Sequence, residues 1–263
     1  MDVSQSIIYG IVQGLGEFLP ISSTAHLVLV PFLTGWKDPG LAFDVALHAG
    51  TLLAVVIFFW KDWIKIFKLA FFKDEKSEEY NKNILWLLVL ATVPGALAGF
   101  FLEDYASTIF RSPWVIVFTL IFFGWLLYLI DKHVEQKKET GDIGLKDALI
   151  IGLAQAVAII PGVSRSGATI TAGRALGFDR VSSARFSFLL STPIIFGATL
   201  NQLPDLIREG ISNATIVGIA VSAASGYLAI KYLIQFVQKY SYKVFFIYRL
   251  VLAVIIAAVI IWR

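Results

Sequence analysis

The chain has 263 residues, of which 57% are hydrophobic and 16% are charged, and its mean hydropathy is +0.76. A soluble domain of this size could not cover so much apolar surface, so the composition predicts an integral membrane protein. The absence of cysteine excludes disulfides and thiolate metal sites, and the net charge of +3 is too small to indicate a nucleic-acid partner. The N-terminus lacks the pattern of a secretory signal, so we expect the whole chain to be retained.

Six apolar runs are long enough to cross about 30 Å of hydrocarbon. They cover residues 41–60, 84–102, 114–130, 186–204, 211–230 and 244–262. The segments between them are alternately rich and poor in Lys and Arg, and the positive-inside rule places the basic ones, such as 61–82 and 131–148, in the cytoplasm. Both termini are then expected outside. The polar segment 73–79 is expected to be a solvated turn.

Two further apolar stretches, residues 3–33 and 145–175, are each interrupted midway by Pro, Gly and Ser. Proline removes a backbone donor and glycine loosens a helix, so we interpret both stretches as re-entrant helix–loop–helix hairpins. Three spans separate them, so they are expected to enter from opposite sides and to meet near the midplane. The fold class is therefore an all-α polytopic membrane protein with about six transmembrane helices and two hairpins.

An internal repeat relates the two halves, because residues 10–13 (Gly-Ile-Val-Gln) resemble residues 152–155 (Gly-Leu-Ala-Gln) at an offset of 142. An odd number of intervening spans makes this an inverted-topology repeat within one membrane domain, with half-repeats at about 1–110 and 140–240. In such folds the broken helices usually surround the substrate site.

The first hairpin brings a carboxylate, hydroxyls and an imidazole together. Gln13 and Glu17 share one helical face, and they are followed by Ser22-Ser23-Thr24 and by His26. An unpaired acid is costly in a bilayer, so Glu17 needs a partner or a function, unless it only caps the broken helix. By itself, His26 could equally be a packing residue.

The second hairpin has the composition of an anion site. Arg165 lies between Ser164 and Ser166, Gly162 precedes them, and Thr169 follows, at the point where a helix begins. Helix N-terminal amides and a guanidinium match the geometry of a phosphate. The alternative is that Arg165 pairs structurally with Glu17 across the repeat interface.

Three other polar residues lie in apolar runs. Asp44 and His48 share a face of the first span, where they could line an entrance, add a metal ligand, or form an interfacial pair. Arg249 lies in the last span, and we interpret it as a structural residue that snorkels toward the headgroups.

Two motifs together resemble those of the bacterial undecaprenyl-pyrophosphate phosphatases, the family tied to bacitracin resistance. They are Gln13-Gly-Leu-Gly-Glu-Phe-Leu-Pro-Ile-Ser-Ser-Thr-Ala-His26 and Pro161-Gly-Val-Ser-Arg-Ser-Gly-Ala-Thr169. The resemblance covers essentially the whole chain, including residues 43–51 and 248–250. One departure is Gln13, where many members carry Glu, so Glu17 is expected to hold the main acidic role.

The resemblance implies an enzyme of the bacterial inner membrane that hydrolyses undecaprenyl pyrophosphate to undecaprenyl phosphate and inorganic phosphate. This reaction recycles the carrier lipid for peptidoglycan synthesis. The resemblance also favours a site open to the outer face. The polyprenyl lipid and membrane lipids are the expected partners, and the sequence leaves a homo-oligomer open.

Our mechanistic hypothesis assigns the site residues to these roles. Ser23 is the nucleophile, with Ser22 as its substitute, and His26 is the general base. Arg165 binds the terminal phosphate, and a divalent cation, Mg²⁺ or Ca²⁺, is held by Glu17 and Gln13. The predicted substrate-binding residues are Ser22, Thr24, Gly162, Ser164, Ser166 and Thr169. Direct attack by water, with His26 or Glu17 as base, stays open.

The main rival from another class is a transporter or lipid flippase, because broken helices in inverted repeats are typical of that class. A carrier needs the Arg and the hydroxyls for binding but has less need of a Glu, Ser and His set. A structural scaffold is a poorer interpretation, because it has no use for so many polar groups in the hairpins.

Overall fold

The computed structural model describes residues 2–72 and 77–262, so residues 73–76 of the predicted polar turn lie outside the described part. The described residues form eleven α-helices and no strand beyond one isolated bridge between Lys138 and Phe178. The helices are α1 Val3–Phe18, α2 Ser23–Thr34, α3 Leu41–Phe58, α4 Trp60–Phe71, α5 Ile84–Ser107, α6 Pro113–His133, α7 Leu145–Val157, α8 Arg165–Ala175, α9 Arg180–Glu209, α10 Asn213–Val237 and α11 Lys243–Trp262.

Among the described residues, five helices are long and apolar enough to cross a membrane. They are Ile84–Leu102 in α5, Pro113–His133, Arg180–Pro204 in α9, Asn213–Val237 and Lys243–Trp262. Five of the six predicted spans are thereby confirmed, with bounds that differ by a few residues. Each has an apolar sequence that can satisfy its backbone only as a helix in lipid. The chain is a multi-pass membrane protein.

The sixth predicted span, residues 41–60, matches α3, which together with α4 forms a bent pair long and apolar enough to cross the membrane. Helix α3 ends at Phe58, and the chain bends by 72° into α4, which continues to Phe71. Charged residues in α4 explain the bend, because Lys61 and Lys68 are exposed while Ile66 and Leu69 are buried. A helix with one charged face lies along an apolar surface instead of continuing through it. Part of the predicted loop 61–82 is therefore helical.

The two predicted hairpins form, and they enter the bundle from opposite ends. An ion pair of 3.4 Å between Arg111 and Asp38 puts the α2–α3 and α5–α6 connections at one end. The bridge between Lys138 and Phe178 puts the α6–α7 and α8–α9 connections together at the other end of α6. The breaks meet inside the bundle, since the Gly162 amide donates to Ser22 Oγ at 3.1 Å.

Packing of the hairpins supports the inverted repeat. Helix α1 packs along α10, and the equivalent helix α7 packs along α5, so each hairpin lies mainly against the other half of the chain. At the equivalent positions Gly10 and Gly152, a Cβ would lie 2.8 Å from the Gly218 carbonyl oxygen and 2.6 Å from the Ala91 carbonyl oxygen. Both contacts need glycine because backbones approach closely. The residue bounds of the half-repeats stay a prediction.

A buried ion network holds α8 from its C-terminal end. The Asp131 carboxylate of α6 accepts hydrogen bonds from Arg174 Nε at 3.0 Å, from Arg180 Nε at 2.7 Å and from the Tyr242 amide at 3.1 Å. Three helices and the connection before α11 therefore share one carboxylate. Removing one partner of such a buried group leaves a charge without compensation, so the network fixes the position of α8 and of the residues at its N-terminus.

Candidate functional site

Two helix N-termini converge at the breaks, each capped by a serine. Ser22 caps α2 and Ser164 caps α8, with φ angles of 73° and 71°. Within residues 2–72 and 77–262 they are the non-glycine residues with positive φ, and they are related by the repeat offset. Strained backbone of this kind is concentrated at functional sites. Two convergent helix N-termini also make a positive electrostatic environment suited to an anion.

Glu17 lies at the centre of the site and contacts both hairpins. Its Oε2 accepts hydrogen bonds from Ser23 Oγ at 2.8 Å and from Gln13 Nε2 at 3.1 Å. Its Oε1 pairs with Arg165 Nη2 at 3.0 Å. The carboxylate is buried, so these partners provide the stabilisation that an ionised acid in a bilayer requires. The structure thus joins the predicted acid, nucleophile and anion binder.

The second break positions Arg165 at the first turn of α8. Besides Glu17, its guanidinium donates from Nη1 to the Ser187 carbonyl oxygen at 3.1 Å. The predicted structural pair between Arg165 and Glu17 is therefore present. Because both partners belong to the predicted site, the ion pair also holds the guanidinium in place within the cluster.

The remaining predicted hydroxyls mostly support the loop. Ser166 Oγ donates to the Leu19 carbonyl oxygen at 3.2 Å and lies 3.2 Å from Ser164 Oγ. Thr169 Oγ1 lies 2.6 Å from Ser187 Oγ, one turn below Arg165. Thr24 is exposed at the start of α2, so the structure does not bring its side chain into the buried cluster.

The His26 imidazole forms its hydrogen bonds with groups other than the Ser23 hydroxyl. Its Nδ1 donates to the Ser22 carbonyl oxygen at 2.7 Å, and its Nε2 lies 2.7 Å from Tyr248 Oη, with the two rings stacked. A carbonyl only accepts, so in the neutral ring Nε2 accepts from the tyrosine hydroxyl. The hydroxyl of Ser23 contacts the Glu17 carboxylate instead of an imidazole.

Of the pair Asp44 and His48, the structure brings His48 into contact with the central acid, and Asp44 lies one turn before it on α3. His48 Nε2 lies 3.5 Å from Glu17 Oε2, and its Nδ1 donates to the Asp44 carbonyl oxygen at 2.7 Å. The Asp44 carboxylate is itself buried. Helix α3 therefore contributes a second imidazole, and this one faces the central acid.

The interpretation of Arg249 as a snorkelling residue is wrong. Its side chain is fully buried, and Nη2 donates to the carbonyl oxygens of Gly162 and Val163 at 2.9 and 2.6 Å. Hydropathy places the residue near a helix end, but only tertiary packing reveals that the second break covers it. Its two remaining guanidinium nitrogens have no hydrogen-bond partner among the residues that the structure describes.

Thr119 of α6 is a site residue that the sequence did not indicate. Its hydroxyl donates to the Pro161 carbonyl oxygen at 2.7 Å. At Gly162, where φ is +90°, a Cβ would lie 2.0 Å from Thr119 Oγ1. Glycine is thus required at this position both by the backbone conformation and by the contact with Thr119.

The side chains around Glu17 determine whether the predicted divalent cation could bind there. In the described part of the chain, no group of three His, Asp or Glu side chains is arranged to hold a metal ion. Gln13 Oε1 and Asp44 Oδ1 are nevertheless buried without a partner, and Glu17 is close to Gln13. Mg²⁺ typically takes one or two carboxylates, and substrate phosphates complete its shell. The residues therefore fit a cation that binds together with a phosphate substrate.

The chain is similar to known proteins over nearly its whole length. The model of the family described as bacitracin resistance protein BacA matches residues 6–255. A protein of Pelotomaculum thermopropionicum named undecaprenyl-diphosphatase is 52% identical over 260 residues, which cover 98% of this chain and 97% of the relative. Proteins with the same name from Desulforudis audaxviator and Moorella thermoacetica are 47% and 48% identical, over 100% and 98% of each chain.

Proposed function

The chain belongs to the bacitracin resistance protein BacA family, and from this premise and the site geometry we propose that it is an undecaprenyl-diphosphatase. It hydrolyses undecaprenyl pyrophosphate to undecaprenyl phosphate and inorganic phosphate. The reaction recycles the lipid carrier for peptidoglycan synthesis and confers resistance to bacitracin. The polyprenyl chain of the substrate stays in the bilayer while the pyrophosphate reaches the buried site.

One observation carries the proposal: a single carboxylate joins a hydroxyl nucleophile to a guanidinium across the two hairpins. Glu17 contacts Ser23 Oγ at 2.8 Å and Arg165 Nη2 at 3.0 Å. Hydrolysis of a pyrophosphate requires an anion binder and an activated oxygen nucleophile close together. A lipid-binding scaffold has no use for a serine paired with an acid at this point.

Arg165 and the two helix N-termini bind the terminal phosphate. In the structure Arg165 pairs with Glu17, and an incoming phosphate offers more oxygens, two of which can accept parallel hydrogen bonds from the planar guanidinium. Ser164, Ser166 and Thr169 keep the α8 N-terminus in position through their bonds to the loop and to Ser187. The substrate therefore draws the guanidinium away from the carboxylate.

Ser23 then attacks the terminal phosphorus, and Glu17 accepts its proton. The existing hydrogen bond already points the hydroxyl hydrogen at Oε2. When Arg165 moves to the phosphate, Glu17 Oε2 stays beside Ser23 as the base, and Oε1 becomes available to a cation. The bond to the polyprenyl phosphate breaks, and the leaving phosphate takes the proton from Glu17. Water, deprotonated by Glu17, then attacks the phosphoserine, and the proton returns to Ser23 Oγ as inorganic phosphate leaves.

A second route uses His26 as the base, as the sequence motif suggests. His26 would first have to leave Tyr248, because both of its ring nitrogens are engaged in the structure. The Glu17 route requires no such rearrangement and is the one we favour. Ser22 is a poor substitute for Ser23, because its hydroxyl is occupied as a cap and by the Gly162 amide.

We propose that a divalent cation, Mg²⁺ or Ca²⁺, binds with the substrate and is held by Glu17 and Gln13. The cation would neutralise part of the pyrophosphate charge that a single arginine leaves uncompensated. The unpartnered Gln13 Oε1 supports this role, since a buried carbonyl oxygen needs a donor or a cation.

We also propose that the protein lies in the bacterial inner membrane with its site open to the outer face. The basic loops beside the α7–α8 hairpin favour a cytoplasmic location for that end. The end where α1, α3 and α10 begin is then outside. The polar residues of α1 and α3 lead from that end to Glu17.

Phosphate release from undecaprenyl pyrophosphate by the detergent-purified protein tests the function. Glu17→Gln and Arg165→Lys should each lower kcat/KM by about 100- to 1,000-fold, because each removes a charged group aimed at the reaction. Glu135→Gln and Arg111→Gln are matched controls, since both residues lie in connections between the long helices and form ion pairs with Lys137 and Asp38. An inactive but folded wild type in several cations would refute the phosphatase and favour a lipid carrier.

A further inference from the structure

Helix α4 has three distinct faces. Its inner face packs on the bundle, where Ile66 and Leu69 are buried and Asp62 pairs with Arg185 of α9. The second face is apolar but exposed, and it consists of Trp60, Ile64, Phe67 and Phe71, each 47–64% exposed. The third face carries Lys61, Lys65 and Lys68. Apolar and basic faces side by side are typical of a helix that lies in a membrane interface.

The geometry of α3 places α4 at the level of the lipid headgroups. Helix α3 has 18 residues and so rises about 27 Å, which is close to the thickness of the hydrocarbon. The chain then bends by 72°, so α4 runs nearer to the membrane plane than to its normal when α3 stands upright. Trp60 lies at the bend, and Trp63 follows it; tryptophan is enriched at membrane interfaces. Helix α4 therefore lies along the interface.

The exposed apolar face of α4 is continuous with a surface that hydrocarbon covers. The Phe71 ring lies 6.4 Å from the Trp86 ring between centroids. Trp86 begins the exposed apolar side of α5, which continues through Val89 and Val93. Because α5 is long and apolar enough to cross the membrane, lipid covers that side. Continuity thus assigns the bilayer as the partner of the exposed face of α4.

Two lysines beside this face have no acidic partner. Lys65 pairs with Glu79 at 3.4 Å, and Glu79 also pairs with Arg185 at 2.6 Å. Lys61 and Lys68 are exposed and form no ion pair among the residues that the structure describes. They lie on one stripe, about 10 Å apart along the helix. At an interface such side chains cover apolar surface with their stems and extend their ammonium groups to the headgroups.

The other half of the repeat lacks these lysines. At the offset of 142, the three lysine positions correspond to Leu203, Ile207 and Gly210. The packing that both halves share therefore does not require them. Their restriction to one half places the positive charge at one face of the membrane, as expected for a contact with the lipids of one leaflet.

We propose that α4 is a binding surface for anionic phospholipid. Lys61 and Lys68 contact the headgroup phosphates, and the exposed apolar face lies among the acyl chains. Lysines at a membrane surface attract anionic lipids over a distance of about a Debye length. The contact anchors the bend between α3 and α4. It is separate from the hydrolysis proposed above and does not depend on it.

Fluorescence quenching in nanodiscs tests the surface, with Trp60 as a local reporter because Lys61 Nζ lies 5.6 Å from its ring centroid. The full chain is placed in phosphatidylcholine discs in which about one lipid in five has brominated acyl chains, on either phosphatidylglycerol or phosphatidylcholine. The Trp60 signal is the difference between each protein and its Trp60→Phe form. We expect brominated phosphatidylglycerol to quench this signal at least about two-fold more strongly, because the lysines raise its local concentration.

The lysine variants identify the cause of this excess quenching. Lys61→Gln with Lys68→Gln should reduce it to the level of phosphatidylcholine, and Lys61→Arg with Lys68→Arg should retain it. The matched control is Lys239→Gln with Lys243→Gln, which removes the same charge from exposed lysines beside α11 and should leave the excess unchanged. Glycerol phosphate added in solution at constant ionic strength should also leave it unchanged. High salt should abolish it in the wild type, a test that needs no variant at the lysines.

Excess quenching that persists in the glutamine pair or in high salt would overturn the lipid surface. An equal loss in the control pair would do so too, because net charge alone would then attract the lipid, and so would a loss in the arginine pair. Loss in glycerol phosphate would assign the lysines to a soluble anion instead. If neither brominated lipid quenches Trp60, a protein surface such as a second copy of the chain covers the exposed face, which also contradicts the proposal. Phosphate release is not measured, so the phosphatase is tested separately.

Discussion

Glu17 and Arg165 belong to hairpins that enter the bundle from opposite ends, and their side chains pair at 3.0 Å where the hairpins meet. The pair is a structural contact between the two halves and also the link between nucleophile and anion site. Reversing the charges, in Glu17→Arg with Arg165→Glu, should restore thermal stability lost in either single variant without restoring activity. Melting temperature and phosphate release in the four proteins separate the two roles. Activity in the double variant would contradict distinct roles for Glu17 and Arg165.

Ser23 and Ser22 should respond differently to alanine. Ser23→Ala removes the proposed nucleophile and should lower kcat by at least about 1,000-fold with little change in melting temperature. Ser22→Ala removes a helix cap and the acceptor of the Gly162 amide, so it should cost about 1–3 kcal/mol of stability. Rapid-quench labelling should trap phosphoserine in the wild type. Normal turnover of Ser23→Ala would favour direct attack by water.

Gln13→Glu should strengthen the dependence on divalent cation. A second carboxylate beside Glu17 adds a charged oxygen ligand, so half-maximal activity should need several-fold less Mg²⁺. Gln155→Glu is the matched control at the equivalent position of the other hairpin, where the side-chain amide donates to the Ala91 carbonyl oxygen. If the Mg²⁺ concentration for half-maximal activity falls equally in both variants, or in neither, the result argues against a cation at Gln13.

Tyr248→Phe separates the two candidate bases. The change keeps the stacked ring and removes the hydroxyl that holds His26 Nε2. If Glu17 takes the serine proton, kcat should stay within a few-fold of the wild type. A large gain in rate would mean that Tyr248 restrains His26 and that the imidazole is the base. Steady-state kinetics of Tyr248→Phe, beside Tyr240→Phe as an exposed control, decide between them.

Single cysteines test the proposed orientation, since the chain has none of its own. Asp38→Cys lies in the α2–α3 connection and should react with an impermeant maleimide in intact cells. Lys137→Cys lies in the α6–α7 connection at the other end and should react only after the membrane is opened. The reverse pattern would place the site on the cytoplasmic side.

Much of the fold could be predicted from apolar runs and their interruptions. The apolar runs near 84–102 and 244–262 can only be helices in lipid, because a helix satisfies its own backbone hydrogen bonds. The Pro-Gly-Ser breaks predict the hairpins, because each break removes helical hydrogen bonds. The bend after Phe58 was missed because the charges of α4 are also typical of a loop. The helix at Trp60–Phe71 is stabilised by packing and by the ion pair between Asp62 and Arg185, 123 residues away, which no local pattern indicates.

For the candidate site, the sequence predicts which residues come together but not which of them pair. One break separates Glu17 from Ser23, so the motif spacing indicates that these two lie together, and the opposed hairpins indicate that Arg165 meets them near the midplane. The partner of His26 depends on α11, which is more than 200 residues later, and the burial of Arg249 depends on how the second break folds over it. Such contacts are set by the assembled bundle.

Each hairpin packs against the other half of the chain, and this packing limits how early during synthesis the enzyme can become active. The Ser6 hydroxyl at the start of α1 donates to the Ala214 carbonyl oxygen, 208 residues further along the chain. At ribosomal rates, α1 therefore waits roughly 10–40 s for the helix it packs against. During that interval the polar side chains of the first hairpin must be solvated by other groups, such as lipid headgroups, water or an insertase. A nascent chain thus cannot hydrolyse lipid until its final third has been made.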